Sequence, residues 1–209
     1  MKSSMPFHGV KATPFRAICR ANFAGLELPD SRTWQAHVLD LWDNARFREE
    51  RYAALELTGV KAAARFQDMT ALPLYERMTV EGAWWDYVDA IAAHRLGPLL
   101  RNEPKAMRRA MLAWSRDDHL WKRRAAILSQ LTFKDDTDLG LLYACIEPSI
   151  GSKEFFLRKG IGWALRALAW RDPDEVVRYV RAHREALSPL TKREALKNVL
   201  KAGGIDRVP

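Results

Sequence analysis

The spacing of the apolar residues constrains the fold of this chain more than any other feature. Along most of the sequence, apolar side chains recur three and four positions apart, which is the period of an amphipathic helix, and strand-like alternation is scarce. The first clear stripes contain Trp34, Val38 and Trp42, and the last contain Val176, Val177 and Val180. The pattern therefore predicts an all-α protein.

Short polar and proline-containing segments separate the apolar stripes and predict where helices begin and end. They lie at 96–98, 102–104, 117–118, 172–173 and 188–189. Asp172 and Ser188 each precede a proline, which predicts an N-cap followed by proline at the first helical position. We expect about ten helices of about 10 to 18 residues in antiparallel pairs, about 35 to 40 residues per pair, which is the rhythm of HEAT-like repeats. The periodicity favours a solenoid and leaves a globular helical bundle open.

The charge balance points to an anionic partner. Lys and Arg number 34 against 26 Asp and Glu, which gives a net charge of +8. Because the excess is spread along the chain, we expect a basic face on a folded body, with nucleic acid or another anionic surface as its partner. With 48% hydrophobic and 29% charged residues, the chain has a globular composition. We expect one domain over residues 1–209, acting as a monomer.

Several other classes of site and location find no support in the sequence. Cys19 and Cys145 are too few for a disulfide framework or a zinc site, and the five histidines show no ligand spacing. Phosphate-binding glycine loops, HExxH and GxSxG are absent. No apolar run has the length of a membrane span, and no apolar stretch follows the first residues. We therefore expect a cytoplasmic protein, associated with the nucleoid when bound to DNA, that uses no metal, cofactor or membrane.

Residues 84–89 hold the side chains best suited to chemistry. On a helix, Trp85 and Asp89 lie one turn apart on the same face, whereas Trp84 turns toward the core with Val88. An indole beside a carboxylate suits a cationic transition state because both groups attract positive charge. The same residues also fit a helix whose tryptophans pack and whose aspartates are solvated or ion-paired.

Two further segments place cations on helices. Residues 121–124 put basic side chains, among them Arg123 and Arg124, on the exposed side of a helix whose other side is apolar. Lys192 and Arg193 follow the predicted helix start at Ser188, where backbone N–H groups and cations can grip a phosphate. Both segments also fit solvated basic faces without a ligand.

Residues 152–166 combine cations, aromatic rings and glycines. Phe155, Phe156 and Trp163 interleave with Lys153, Arg158, Lys159 and Arg166. Gly160 and Gly162 are poor helix residues, and they suggest close approach by another backbone or by a ligand. The segment fits a surface that meets nucleic acid, and it also fits a helix with core aromatics and extended cations.

Five stretches in order along the chain carry a resemblance to a known family. They are MPFHGVKATPFR, AWWDYVDAI, LWKRRAAILSQL, SKEFFLRKGIGWALR and LSPLTKREALK. Together they resemble the AlkD family of bacterial DNA alkylation-repair glycosylases. The resemblance implies a HEAT-like solenoid whose concave, basic face holds duplex DNA. It also implies release of N3- and N7-alkylated purines in base excision repair, without flipping the damaged nucleotide and without a cofactor.

The resemblance assigns roles by motif position. It implies that Asp89 is the catalytic carboxylate, that Trp85 and Trp163 contact the deoxyribose of the lesion, and that Arg124 contacts the DNA backbone. The cations expected to bind DNA are Lys11, Arg123, Lys153, Arg158, Lys159, Lys192 and Arg193. Typical members carry a further helix before the position where this chain starts, so either the start has been shortened or this branch lacks that helix. The aromatic DNA contact that family members supply from that region is therefore not expected from this sequence.

Two alternatives belong to other functional classes. One is a catalytically inactive HEAT-like DNA-binding protein, and the presence of Asp89, Trp85 and Trp163 weighs against it. The other is a helical-repeat scaffold for protein partners, which needs no basic face. Indifference to DNA at any salt concentration would favour the scaffold.

Overall fold

A computed structural model describes residues 5–205 and residue 208. Within this part of the chain there are twelve α-helices and no β-strand, so the prediction of an all-α fold is confirmed. The helices are α1 (Ala12–Phe23), α2 (Ser31–Asp43), α3 (Arg48–Thr58), α4 (Leu72–Gly82), α5 (Trp85–Ile91), α6 (Gly97–Asn102), α7 (Pro104–Trp114), α8 (Leu120–Leu128), α9 (Leu139–Ile146), α10 (Phe155–Leu168), α11 (Pro173–Ala182) and α12 (Pro189–Lys201).

Two helix starts follow the predicted capping residues. The Asp172 carboxylate accepts the backbone N–H of Glu175 at 2.9 Å, and the Ser188 hydroxyl accepts that of Thr191 at 3.0 Å. A proline takes an early position of each helix, where its missing N–H has no intrahelical partner to lose. The sequence therefore located the beginnings of α11 and α12.

The break predicted at 96–98 is wrong, because α5 continues into α6 through a π-helical turn at Ala92–Leu96. Pro98 has no N–H to donate to the His94 carbonyl one turn earlier, and the Arg95 guanidinium donates to that carbonyl at 2.7 Å. The helical segments are also shorter and more numerous than expected, from 6 residues in α6 to 14 in α10. The Gly-Pro segment at 96–98 therefore did not predict a helix boundary correctly.

The helices stack in two layers. Helices α1, α3, α5, α8, α10 and α12 form a row in which each contacts the next, and helices of the second layer pack against them as neighbours along the chain. This stack of helix pairs is a HEAT-like α-solenoid, as predicted. The row places α5, α8, α10 and α12 side by side.

One continuous apolar core runs between the layers from Leu28 to Val199. Trp34, Trp42 and Tyr75 are completely buried in it, and their large side chains fix the spacing between neighbouring helices. No helix in residues 5–205 is long and apolar enough to cross a membrane.

Candidate active site

A cleft of about 350 Å³ lies where α5, α8 and α10 meet. Its lining residues are Trp85, Asp89, Arg124, Phe155, Phe156, Lys159, Trp163 and Arg166. The cleft thus brings together the four residues predicted to be catalytic, although they come from three separate helices.

The start of α5 orients Trp85 and Asp89. Helix α4 ends at Gly82, the next residue, Ala83, has the left-handed conformation with φ 39°, and α5 begins at Trp85. Trp85 and Asp89 both face the cleft, as their spacing predicted, but Trp85 is 39% exposed and Asp89 only 7%. Trp84 packs against the core, edge-to-face with Phe156 at 5.8 Å, which was also expected. The indole therefore stands at the mouth of the cleft and the carboxylate in its depth.

Arg124 holds Asp89 with two hydrogen bonds. Its Nε donates to Asp89 Oδ1 at 2.7 Å and its Nη2 to Oδ2 at 2.9 Å, while Nη1 donates to the Phe156 carbonyl. Arg124 is 4% exposed, so the prediction that it lies on the exposed side of its helix is wrong. Because α8 is packed between α5 and α10, this charge is buried and needs a counter-charge.

Burial dominates the electrostatics of the Asp89 carboxyl. Loss of solvation raises its pKa above the ordinary 3.8, the hydrogen bonds and charge of Arg124 lower it, and the charge of Asp86 raises it. Pairing with Arg124 favours the ionised form, and the dry surroundings strengthen its attraction for a nearby positive charge. The cleft therefore contains a carboxyl group held by Arg124 beside aromatic faces.

The two glycines of α10 allow neighbouring parts of the protein, the Arg124 side chain and helix α12, to approach this helix closely. A Cβ at Gly160 would lie 3.1 Å from Arg124 Nη1, and a Cβ at Gly162 would lie 2.5 Å from Glu194 Cβ and 3.0 Å from the Thr191 carbonyl oxygen. Gly160 leaves room for the guanidinium, and Gly162 leaves room for α12. The sequence predicted close approach by another backbone or by a ligand, and at Gly162 the backbone of α12 approaches.

Two basic side chains of α10 lie at the cleft beside Trp163, namely Lys159 and Arg166. Both pair with Glu194 of α12, Lys159 Nζ at 2.7 Å and Arg166 Nη1 at 2.8 Å. Arg166 was not among the predicted site residues, although its position seven residues after Lys159 places the two on one face. Glu194 lies 35 positions from Lys159 and 28 from Arg166, so no local sequence pattern predicted that it would pair with them.

The other cations predicted to bind DNA lie outside the cleft lining, and their contacts with DNA stay predictions. Lys11, Lys153 and Arg193 are exposed, and Arg123, Arg158 and Lys192 are half-buried. Some of them are engaged within the protein, since Arg158 donates to the Lys153 carbonyl and Lys192 to the Arg184 carbonyl. A concave face that is basic throughout likewise stays a prediction.

Asp86 lies outside the cleft lining and is ion-paired with Arg48 of α3. It accepts hydrogen bonds from the Arg48 guanidinium and the Tyr52 hydroxyl, and Arg48 is 1% exposed. Sequence reasoning left solvation and ion pairing open for this aspartate. The pair ties α3 to the first turn of α5, which carries Trp85.

Neither cysteine belongs to the cleft. Cys19 and Cys145 are both free and buried, and burial raises the pKa of Cys145 to about 12. In the portion of the chain that the structure describes, no group of three or more His, Cys, Asp or Glu is arranged to hold a metal ion.

The fold and the cleft define a helical-repeat protein with an acidic, aromatic site edged by cations. The family model for DNA alkylation repair enzymes matches residues 1–199, so the chain belongs to that family and functions in the repair of alkylated DNA. A solved structure described as a predicted DNA alkylation repair enzyme from Enterococcus faecalis is similar in fold, with a TM-score of 0.81 at 24% identity over 91% of this chain and 87% of that one. No curated protein matches the chain.

Proposed function

We propose that this protein is a monofunctional DNA glycosylase that hydrolyses the N-glycosidic bond of N3- and N7-alkylated purines in duplex DNA. One observation carries the proposal. The Asp89 carboxylate, 7% exposed and held at both oxygens by Arg124, lies in a cleft whose walls include Trp85 and Trp163. Family membership supports alkylated DNA as the substrate.

The proposed reaction uses the positive charge that alkylation places on the base. As the bond from C1′ to the purine nitrogen breaks, its electron pair neutralises the cationic purine, so the base needs no acid to leave. The deoxyribose develops oxocarbenium character, which the Asp89 anion stabilises, and a water molecule adds to C1′. The proton of that water passes to Asp89 or to solvent, leaving an abasic site and a free purine.

The neighbouring side chains support the carboxylate. The faces of Trp85 and Trp163 attract the positive charge of the sugar and contact its apolar side. Arg124 acts through Asp89, because its three guanidinium nitrogens already have acceptors in Asp89 and Phe156. In this proposal Arg124 fixes the carboxylate, and any contact with the DNA backbone is secondary.

The shape of the cleft favours reaction without base flipping. Trp85 and Phe155 at its mouth are 39% and 52% exposed, so they present ring surface to a duplex that approaches from outside. Lys159 and Arg166 at the same cleft supply positive charge for the phosphates near the lesion. The lesion can then stay in the base stack while its deoxyribose meets Asp89.

Release of free base from methylated duplex DNA tests the proposal. We expect the protein to liberate 7-methylguanine and to leave uracil and 8-oxoguanine in matched duplexes, because these neutral bases lack the charge that makes the purine leave. Duplex binding without base release indicates a catalytically inactive DNA-binding protein. Absence of duplex binding at low salt indicates a scaffold and contradicts the proposal.

A further inference from the structure

Glu194 is a charged residue next to the cleft that has no part in the reaction described above. It projects from α12 toward α10 and uses one carboxylate oxygen for each of two cations. Oε1 accepts from Lys159 Nζ at 2.7 Å, and Oε2 accepts from Arg166 Nη1 at 2.8 Å. Its side chain is 19% exposed, against 36% for Lys159 and 23% for Arg166.

The position of Glu194 relative to the cleft decides between two roles. Lys159 and Arg166 line the cleft, but Glu194 does not. A carboxylate that occupied the place of a DNA phosphate would line the cleft with its cations and compete with DNA. Glu194 instead contacts the two cations from α12, outside the cleft lining, so it can hold them while both still line the cleft.

The contacts of Glu194 with Lys159 and Arg166 lie on the stretch of α10 that forms part of the cleft wall. Lys159 and Arg166 stand two turns apart on one face of the helix, four residues before and three residues after Trp163. Gly162 brings α12 close at the same level, because its missing Cβ leaves room for the Cβ of Glu194. The ion-pair bridge formed by Lys159, Glu194 and Arg166 therefore spans the part of α10 that carries Trp163.

Glu194 is charged at neutral pH. The hydrogen bond from Lys159 lowers its pKa most, burial raises the pKa, and the charges of Lys159 and Arg166 lower it further, with a net downward shift. Both cations thus have a fixed anionic partner in the absence of DNA.

We propose that Glu194 is a positioning residue, which fixes Lys159 and Arg166 on either side of Trp163 so that both meet phosphates flanking the lesion. The inference rests on the proposed function in one respect, that duplex DNA occupies this cleft. Free long side chains would sample many rotamers, and ordering them on binding costs affinity. The bridge supplies that order beforehand.

The salt dependence of duplex binding tests this role with Glu194→Gln. Each phosphate contact contributes about 0.9 to the log–log slope of affinity against salt for B-DNA, so loss of one or two positioned cations should lower the slope by about 1 to 2. Glu175→Gln is the matched control. Glu175 is 13% exposed, accepts from Tyr143 and Arg178, and lies outside the cleft. It should lose the same charge without changing the slope.

The outcomes are distinct. The slopes are measured below the melting temperature of both variants. A lower slope for Glu194→Gln, with an unchanged slope for Glu175→Gln, supports the inference. An unchanged slope overturns it, and a steeper slope with tighter binding overturns it in favour of a carboxylate that merely opposes DNA. A wild-type protein that binds duplex but releases no base, together with a lower slope in Glu194→Gln, removes the proposed glycosylase activity and leaves the positioning role standing.

Discussion

The Asp89–Arg124 ion pair combines a catalytic proposal with a structural requirement. Taking each charge out of water costs several kcal/mol, and the two hydrogen bonds between them offset part of that cost. Removing one partner leaves the other buried and unpaired, which destabilises proteins by about 3 to 5 kcal/mol. Any variant of Asp89 therefore has to be assayed on folded protein.

The pH dependence of excision should report the pKa of Asp89. Because the ionised form stabilises the sugar cation, the single-turnover rate should fall on acidification through a pKa above the ordinary 3.8. The sign for stability is opposite: a carboxyl whose pKa is higher in the folded state favours folding when protonated, and that contribution is lost as pH rises through the folded pKa. The lost activity should thus not come with unfolding caused by this group.

A pH–rate profile on methylated duplex checks this, corrected for enzyme-free depurination at each pH. Circular dichroism over the same pH range separates loss of activity from loss of fold. A profile that stays flat to below pH 3.8 is incompatible with Asp89 as the required anion.

Single positions differ in how far the sequence could predict them. The pairing of Trp85 with Asp89 follows from their spacing within one helix, and so does the inward turn of Trp84. The burial of Arg124 does not, because it depends on α5 and α10 packing on both sides of α8. Glu194 is beyond local reasoning for the same reason, since its partners lie on another helix.

At the level of helices, α5 and α10 each contribute one indole to the cleft. Trp85 is the more exposed of the two, at 39%, whereas Trp163 is half-buried and packs against the core. The sequence left open whether these tryptophans pack in the core or line a site, and the structure gives them different degrees of burial. Their replacement should therefore cost different amounts of stability. A fully buried tryptophan replaced by alanine costs about 3 to 5 kcal/mol, and we expect less at both positions, least at Trp85.

We predict that Trp85→Ala and Trp163→Ala each slow excision about 10-fold or more, since the loss of about 1.4 kcal/mol of cation–π stabilisation corresponds to that factor. Binding of undamaged duplex should change little. Trp170→Ala is the matched control, because Trp170 lies two residues after the end of α10, is 72% exposed and lies outside this cleft. An equal effect of all three substitutions on excision would remove the specific role of the two cleft tryptophans.

Helix ends show where the sequence was sufficient and where it was not. Asp172 and Ser188 act locally, so their caps could be predicted. At Pro98 the helix continues because Arg95 satisfies the His94 carbonyl and a π-helical turn absorbs the change. Such a compensation depends on neighbouring side chains and not on the proline alone.

At the scale of the whole molecule, stacking places residues distant in sequence on one surface. The row α5, α8, α10 and α12 brings Asp89, Arg124, Trp163 and Glu194 together, though more than 100 positions separate the first from the last. The apolar period predicted the helices and favoured the solenoid. The register between neighbouring helices was set by packing, as at Gly162, which no periodicity reveals.

Two variants separate catalysis from folding in the central test. Asp86 lies on the same helix as Asp89, and Asp86→Asn breaks its pair with the buried Arg48 of α3, so it should lower stability and still leave excision near normal in folded protein. Asp89→Asn combined with Arg124→Gln removes both buried charges, so it should regain stability relative to Asp89→Asn while staying inactive.

The most direct test is the single-turnover rate of 7-methylguanine release by Asp89→Asn on a methylated duplex. We predict a fall of about 10²-fold or more relative to the wild-type protein, with duplex binding retained, because the amide cannot stabilise the sugar cation or accept the proton of water. A near-wild-type rate for Asp89→Asn, or loss of excision in folded Asp86→Asn instead, would contradict the assignment of Asp89 as the catalytic carboxylate.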